Sequence, residues 1–391
     1  MSNFAHIPMA DLAAVTGPIE RARGLPNGVY NDPDFLALER DHIMAKTWAG
    51  IGFAGDLPQP GYVKPVTFMG LPLVIIRDRE DRVRVCHNVC SHRGMVVVND
   101  PGPVNGSIRC PYHSWTYDFN GDLKGTPHLG GVGVHQADSF RCEEHGMKEV
   151  RSHVWFDVVF VNLDGKADPF DDFIKPVTER WQHYLGDAGY AQMQRETSGG
   201  AIQLDVACNW KLAVENYCES YHLPWVHPGL NSYSRIQDHY HIMFGEFAGQ
   251  GTRVYNLSEQ AGTSLPVFPA WPTEQLKEAE YISIFPNVLL GIQADHSFAI
   301  VLEPVANDRT LEHLRIMYVG AEALKDEYKP HRAATLESWK IVFAEDISVV
   351  EGMQAGRASP GFQGGVFSPV LDNPTHYFNK WVADRLLVAI D

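Results

Sequence analysis

The stretch Glu219-Ser-Tyr-His222-Leu-Pro-Trp-Val-His227-Pro228 puts one carboxylate and two imidazoles within nine positions. Glu219 and His222 are three apart, a spacing that shares one face of a helix. Pro224 should disturb that helix, because its ring clashes with the preceding turn. A chain loosened there can turn His222 and His227 onto one ion. Two histidines and a later carboxylate make the 2-His-1-carboxylate set that binds non-haem Fe(II) and leaves positions open for dioxygen. The alternatives are Zn(II) or three polar residues at a helix end.

The later carboxylate is Asp346. A long helix is expected from about Pro330 to Met353, with an apolar stripe of Leu336, Trp339, Phe343, Val350 and Met353. Position 346 completes the stripe and is acidic. A carboxylate on an apolar face is costly unless it is paired or bound to metal. Pairing with an arginine or amide is the competing reading. Glu345 beside it is expected to face solvent.

A second constellation lies upstream. Cys90-Ser-His92 is followed, after 17 intervening residues, by Cys110-Pro-Tyr-His113. In a Rieske [2Fe–2S] centre one iron takes two cysteines and the other two histidines. Each loop here supplies one ligand of each type. A structural Cys2His2 zinc site is the alternative, but Cys-x-His is cramped for one tetrahedral ion. Cys86 and His87 read as strand residues. Gly130-Gly-Val-Gly-Val134 lacks the strand–turn–helix setting of a dinucleotide site. Electrons must therefore come from another protein.

These residues need two scaffolds. From Trp48 to Asn162 short strands dominate: Val63 to Phe68, Leu71 to Arg77, Val83 to Cys86, a hairpin turn at Asn120-Gly121, and Val154 to Val161 as one buried strand. Residues 163–200 read as a polar linker with helical spacing at Phe173, Val177, Trp181 and Tyr184. A strand at 203–208 leads to Asn209, a good N-cap, and to a helix over 210–221. Strands at 281–285, 288–292, 297–304 and 312–319 suggest an antiparallel sheet, and 374–388 a short last helix. Before all this, Asp32 to Ile43 reads as a lead-in helix. The expected division is a helical lead-in over 1–47 packing on the catalytic domain, an iron–sulfur domain over 48–165 and a catalytic domain over 166–391.

The chain has 391 residues and 45% apolar content, enough for sizeable cores. Its 32 basic and 48 acidic residues leave a net charge of −16, which argues against nucleic acid or an anionic membrane as partner. Six cysteines without a disulfide-like spacing, and no apparent leader or membrane span, suggest a reduced, cytoplasmic protein.

Cys90-x-His92, Cys110-x2-His113 and Asn209-Trp-Lys continuing to Glu219-x2-His222-x4-His227 together resemble the α subunits of Rieske-type non-haem iron oxygenases, the ring-hydroxylating oxygenase family. The resemblance covers nearly the whole chain. It implies an α+β molecule, with an N-terminal all-β Rieske [2Fe–2S] domain and a C-terminal helix-grip catalytic domain that holds Fe(II). It implies a homotrimer in which the cluster of one subunit feeds the iron of its neighbour, with O2 as co-substrate. It also implies a separate flavin and iron–sulfur reductase, working directly or through a ferredoxin. The carboxylate bridging the two centres is Glu219 by motif position. Most ring dioxygenases carry aspartate there. The glutamate resembles the branch acting on carnitine and glycine betaine, which implies monooxygenation or N-demethylation of a small quaternary ammonium compound. The alternative is an aromatic-ring or aryl-carboxylate hydroxylating dioxygenase. Tyr217, Tyr221, Trp225 and Phe285 are candidate walls for a cationic substrate, since aromatic faces attract quaternary ammonium. Core packing is their alternative role.

Overall fold

The structure is a computed structural model. It describes residues 9–390 apart from 197–198, 256 and 258–263, so the first eight residues of the lead-in and Asp391 lie outside it. The chain divides into two compact units. One is Gly50–Ala167; the other joins the chain up to Ala49 to Asp168 onward. No helix among the described residues is long and apolar enough to cross a membrane.

The Gly50–Ala167 unit is all β. Its strands are β1 (Ala49–Phe53), β2 (Tyr62–Phe68), β3 (Leu71–Arg77), β4 (Val83–His87), β5 (Gly102–Pro103), β6 (Ile108–Arg109), β7 (Thr116–Tyr117), β8 (Leu123–Gly125), β9 (Glu149–Trp155) and β10 (Val158–Asn162). Seven form a sheet in the order β1-β10-β9-β4-β3-β2-β5, and β6-β7-β8 form a second, small sheet. Alternation in β3 and β4 buries Val74, Ile76 and Cys86 in a core shared with Cys90, Cys110, Trp115 and Tyr117. The single strand expected over 154–161 is instead the end of β9, a tight turn and β10. Phe156 and Asp157 both adopt positive φ, 56° and 61°, the geometry of a two-residue hairpin turn that matches strand twist. Neither residue is glycine, so the turn left no local sign.

The second unit is built on an antiparallel sheet. Its strands are β11 (Met193–Arg195), β12 (Ala201–Val206), β13 (His239–Phe244), β14 (Phe247–Thr252), β15 (Ala279–Ile284), β16 (Val288–Ile292), β17 (His296–Ala306) and β18 (Arg309–Val319). The order is β11-β18-β17-β16-β15-β14-β13, with β12 also on β18. The register sets Tyr281 opposite Gly291 and Gly291 opposite Phe298. Residues directly opposite share a sheet face, so Tyr281 and Phe298 stand on one side. The long helix Lys329–Gly356 packs there, with Phe298 against Trp339 and Phe343.

Residues 163–200 are more than a linker. Helix Phe170–Leu185 buries Ile174, Val177, Trp181 and Tyr184, and Arg180 and Trp181 both donate to the buried Glu280 of β15. The described lead-in belongs to this unit too, as helices Met9–Val15, Gly28–Asn31 and Asp34–His42 rather than one. Buried Glu39 accepts from Trp210 Nε1 at 2.8 Å and from the ammonium of buried Lys211. Terminal helix Asn373–Ile390 spans 18 residues and is not short.

Candidate metal centres and substrate pocket

Cys90 and Cys110 start two loops of the same construction. In each, the cysteine carbonyl accepts from the amide four residues on, Gly94 at 3.0 Å and Ser114 at 3.1 Å. In each, the cysteine amide donates five residues on, to Met95 or Trp115 at 2.8 Å. Gly94 and Ser114 take the left-handed backbone that closes the turns, φ 74° and 58°. The loops sort their ligand atoms by type. Both cysteines are buried while His92 is exposed, and His92 Nδ1 lies 3.1 Å from His113 Nδ1. Two neutral imidazoles meeting through like nitrogens make at most one hydrogen bond. The arrangement suits two nitrogens directed at one ion, with the thiols serving a second, inner one. Burial pushes the Cys110 thiol up, and the amides of Tyr112 and His113 pull against it. Tyr117 donates to Cys90 Sγ at 3.1 Å, and Trp115 stacks on His92 at 4.7 Å.

The second centre forms where three helices meet. Helix Trp210–Cys218 starts at Asn209, whose side chain accepts from the Lys211 amide, as N-caps do. It ends before Glu219, which is extended at φ −122° and ψ 165°. Glu219 and His222 therefore do not share a helix face as their spacing suggested. The Glu219 carboxylate instead folds forward, accepting from the amides of Tyr221 and His222 and meeting His222 Nδ1 at 2.5 Å. Pro224 does not break a helix; it sits in the first turn of Leu223–Val226, where its missing N–H is harmless. That single turn carries His222 at one end and His227 at the other.

The long helix brings Asp346 to both. Its Oδ1 is 3.0 Å from His227 Nε2 and 3.8 Å from His222 Nε2, and one ligand atom from each of the three residues falls within 4.8 Å of the others. Asn216 Nδ2 donates to Asp346 Oδ1 at 3.2 Å. Glu345, expected in solvent, lies with Oε2 2.7 Å from His227 Nδ1. His227 thus stands between two carboxylates. A neutral imidazole carries one proton, so once Nδ1–H serves Glu345 the Nε2 lone pair faces Asp346 oxygen. Burial alone would depress this imidazole, yet Asp346 and Glu345 hold it above its ordinary value. The site calls for positive charge between His222, His227 and Asp346, and a divalent metal would supply it.

A cavity of about 60 Å³ opens from this cluster. It follows the long helix from Asp346 past Phe343 to Trp339, and Tyr217, Tyr281 and Phe298 line it from helix and sheet. The rings form a connected wall: Phe298–Trp339 at 4.6 Å, Trp339–Phe343 at 5.3 Å and Tyr281–Trp339 at 6.2 Å between centroids. No lysine or arginine is among its described lining residues.

Residues 47–136 match the Rieske [2Fe-2S] domain model, and 193–387 match the ring hydroxylating alpha subunit catalytic domain model. The chain belongs to the Rieske-type ring-hydroxylating oxygenase α subunits. As a member it is an oxidoreductase with a Rieske [2Fe–2S] cluster and a mononuclear iron centre. It is similar to the carnitine monooxygenase oxygenase subunit of Acinetobacter baumannii, 25% identical over 344 residues that cover 87% of this chain and 86% of that protein. It is also similar to the glycine betaine monooxygenase oxygenase subunit of Chromohalobacter salexigens, 24% identical over 421 residues covering 98% and 91%. The crystal structure of the quaternary ammonium Rieske monooxygenase CntA with L-carnitine shares the fold, with TM-score 0.76, 24% identity and coverage of 97% and 99%.

Within this oxygenase the aromatic candidates divide. Tyr217 lines the cavity, anchored by its hydroxyl to the Leu290 carbonyl at 2.7 Å. Tyr221 and Trp225 pack on each other at the surface, 41% and 72% exposed. Phe285 is fully buried against Phe378 and Trp381 of the terminal helix, away from the cavity lining. Tyr281, Phe298, Trp339 and Phe343 take their place. Trp339 and Phe343 were legible as core on the Asp346 stripe, and their position one and two turns before that carboxylate was the available signal. Glu345, Tyr281 and Phe298 left none.

Proposed function

We propose that this chain is the oxygenase component of a multicomponent monooxygenase that hydroxylates or N-demethylates a small quaternary ammonium compound. The observation that carries the proposal is the aromatic cavity leading to His222, His227 and Asp346, with no lysine or arginine among its described lining residues. Quaternary ammonium is held by aromatic faces, whereas an aryl carboxylate or sulfonate would bring a charge with no counterion there. The carnitine and glycine betaine enzymes among the relatives support the same class.

In this reading Cys90, Cys110, His92 and His113 hold the cluster, and His222, His227 and Asp346 hold Fe(II). The iron supplies the dioxygen chemistry when bound. The protein's own groups do the rest. Glu345 and Glu219 orient the two imidazoles through their Nδ1 atoms. Glu219 is also the bridge toward the Rieske histidines of a neighbouring subunit in a homotrimer. The aromatic walls place an N-methyl group near Asp346 and keep water away. Two electrons, from a separate flavin and iron–sulfur reductase acting directly or through a ferredoxin, and two protons balance the reaction. One atom of O2 enters the C–H bond and the other leaves as water. A hydroxylated N-methyl group then breaks its C–N bond, giving formaldehyde and the demethylated amine. None of the six cysteines is paired in a disulfide, which supports a reducing, cytoplasmic setting.

The test is substrate-dependent oxygen uptake with a surrogate reductase, over betaines, choline and carnitine on one side and benzoate and aminobenzenesulfonate on the other. Uptake coupled to formaldehyde with the first group is expected. Coupled hydroxylation of the second group alone would replace this reading with an aromatic-ring oxygenase.

A further inference from the structure

Trp339 does more than fill a wall of the cavity. Its indole N–H donates to His296 Nε2 at 2.8 Å, and His296 Nδ1 lies 2.6 Å from Asp295 Oδ1. An indole nitrogen can only donate. His296 must therefore accept through Nε2, which places its proton on Nδ1, donated to Asp295. His296 is 1% exposed and Asp295 7%, so the chain Trp339–His296–Asp295 runs through a dry interior and its direction is fixed. It reaches a carboxylate beyond the N–H edge of the ring that forms the far wall of the cavity.

We infer that Asp295 and His296 are positioning residues that set the preference of this pocket for a cation, acting through Trp339. The inference rests on the proposed quaternary ammonium substrate. The hydrogen bond holds the indole in one orientation against Phe298 and Tyr281. It also draws electron density toward the ring, since a donor bonded to a carboxylate-linked imidazole is polarised. The attraction of a cation for an aromatic face is electrostatic, so a negative charge linked to the ring's N–H edge strengthens it. A neutral ligand of the same shape gains nothing. Trp339 and Asp346 are seven residues apart, about 10 Å along the helix axis. A trimethylammonium group within about 6 Å of the ring thus still presents a methyl group to the Asp346 end.

The test uses two probes of one shape, choline and its carbon analogue 3,3-dimethyl-1-butanol, titrated calorimetrically into the holoenzyme. Asp295→Asn removes the charge but keeps an oxygen to accept from His296. It should weaken choline by about 2- to 30-fold, the span of cation–π energies, and change the alcohol by less than about twofold. His296→Leu should do the same, while His296→Gln, which can both accept from Trp339 and donate to Asp295, should restore choline binding. In a Trp339→Phe background Asp295→Asn should have no further effect. If wild type prefers choline and both Asp295→Asn and His296→Leu keep that preference, the inference is wrong and the substrate class stands. Equal loss of both probes would mean a purely structural role and would also overturn it. A wild type that does not distinguish the probes would sink the substrate class and the inference together.

Discussion

Glu345 and Asp346 are adjacent on one helix, yet they meet opposite nitrogens of the same imidazole. Adjacent helical side chains diverge, and from that divergence the sequence suggests that one faces inward and the other solvent. The inference fails because His227 sits between them, with a nitrogen turned to each. Glu345→Gln should lower iron affinity about 10- to 100-fold, the usual cost of losing a carboxylate that orients a ligand histidine. Metal analysis after dialysis against graded chelator reads this, and wild-type retention would remove Glu345 from the site. Glu219 was legible by motif, but its geometry was not, since it accepts amides from outside the helix end. Glu219→Gln should weaken iron binding in the same way, since it too loses a carboxylate on a ligand histidine, but once loaded with iron it should bind substrate and still accept electrons at the Rieske centre. In stopped flow, its pre-reduced cluster should stay reduced when substrate and O2 are added. Fast reoxidation would leave Glu219 as an orienting group alone.

At the scale of elements, periodicity was a good guide wherever a segment solves its own packing problem. The long helix follows from apolar residues that recur at helical spacing, of which Trp339, Phe343 and Val350 are buried, and the strands from 279 to 319 from apolar runs that are buried for most of their length. Partners far apart in sequence were invisible. Glu39 and Lys211 are 172 positions apart and form a buried ion pair between the lead-in and the helix that leads to the iron site. Burial drives the Lys211 ammonium below its usual value, and the Glu39 carboxylate opposes that. Removing one member of such a pair leaves a charge in a dry interior, at a cost of about 3–5 kcal/mol. Lys211→Met should lower unfolding free energy by that amount in denaturant titration, and Lys211→Met with Glu39→Leu should recover much of it. A single variant of wild-type stability would show that the pair is not a strut. The aromatic wall teaches the same point, because its rings come from β15, β17 and two helices, and only their convergence marks them as a pocket.

At the scale of the whole molecule, two metal motifs in fixed order made the family legible, and composition set its limits. A net charge of −16 suits a cationic ligand and disfavours anionic partners. What composition could not yield is which surfaces meet, because docking depends on the placement of exposed groups such as Tyr221 and Trp225. The central claim is that reducing equivalents stored at the Rieske centre are used at His222, His227 and Asp346 on a quaternary ammonium substrate. A single turnover tests it most directly: chemically reduced, reductase-free protein is mixed with O2 and a panel of N-methylated betaines, and Rieske absorption and formaldehyde are followed together. The expected result is reoxidation of the cluster in step with formaldehyde for wild type. Asp346→Ala should keep its Rieske spectrum and form no product. Formaldehyde from Asp346→Ala at the wild-type level, or reoxidation in wild type with no product from any member of the panel, would contradict it.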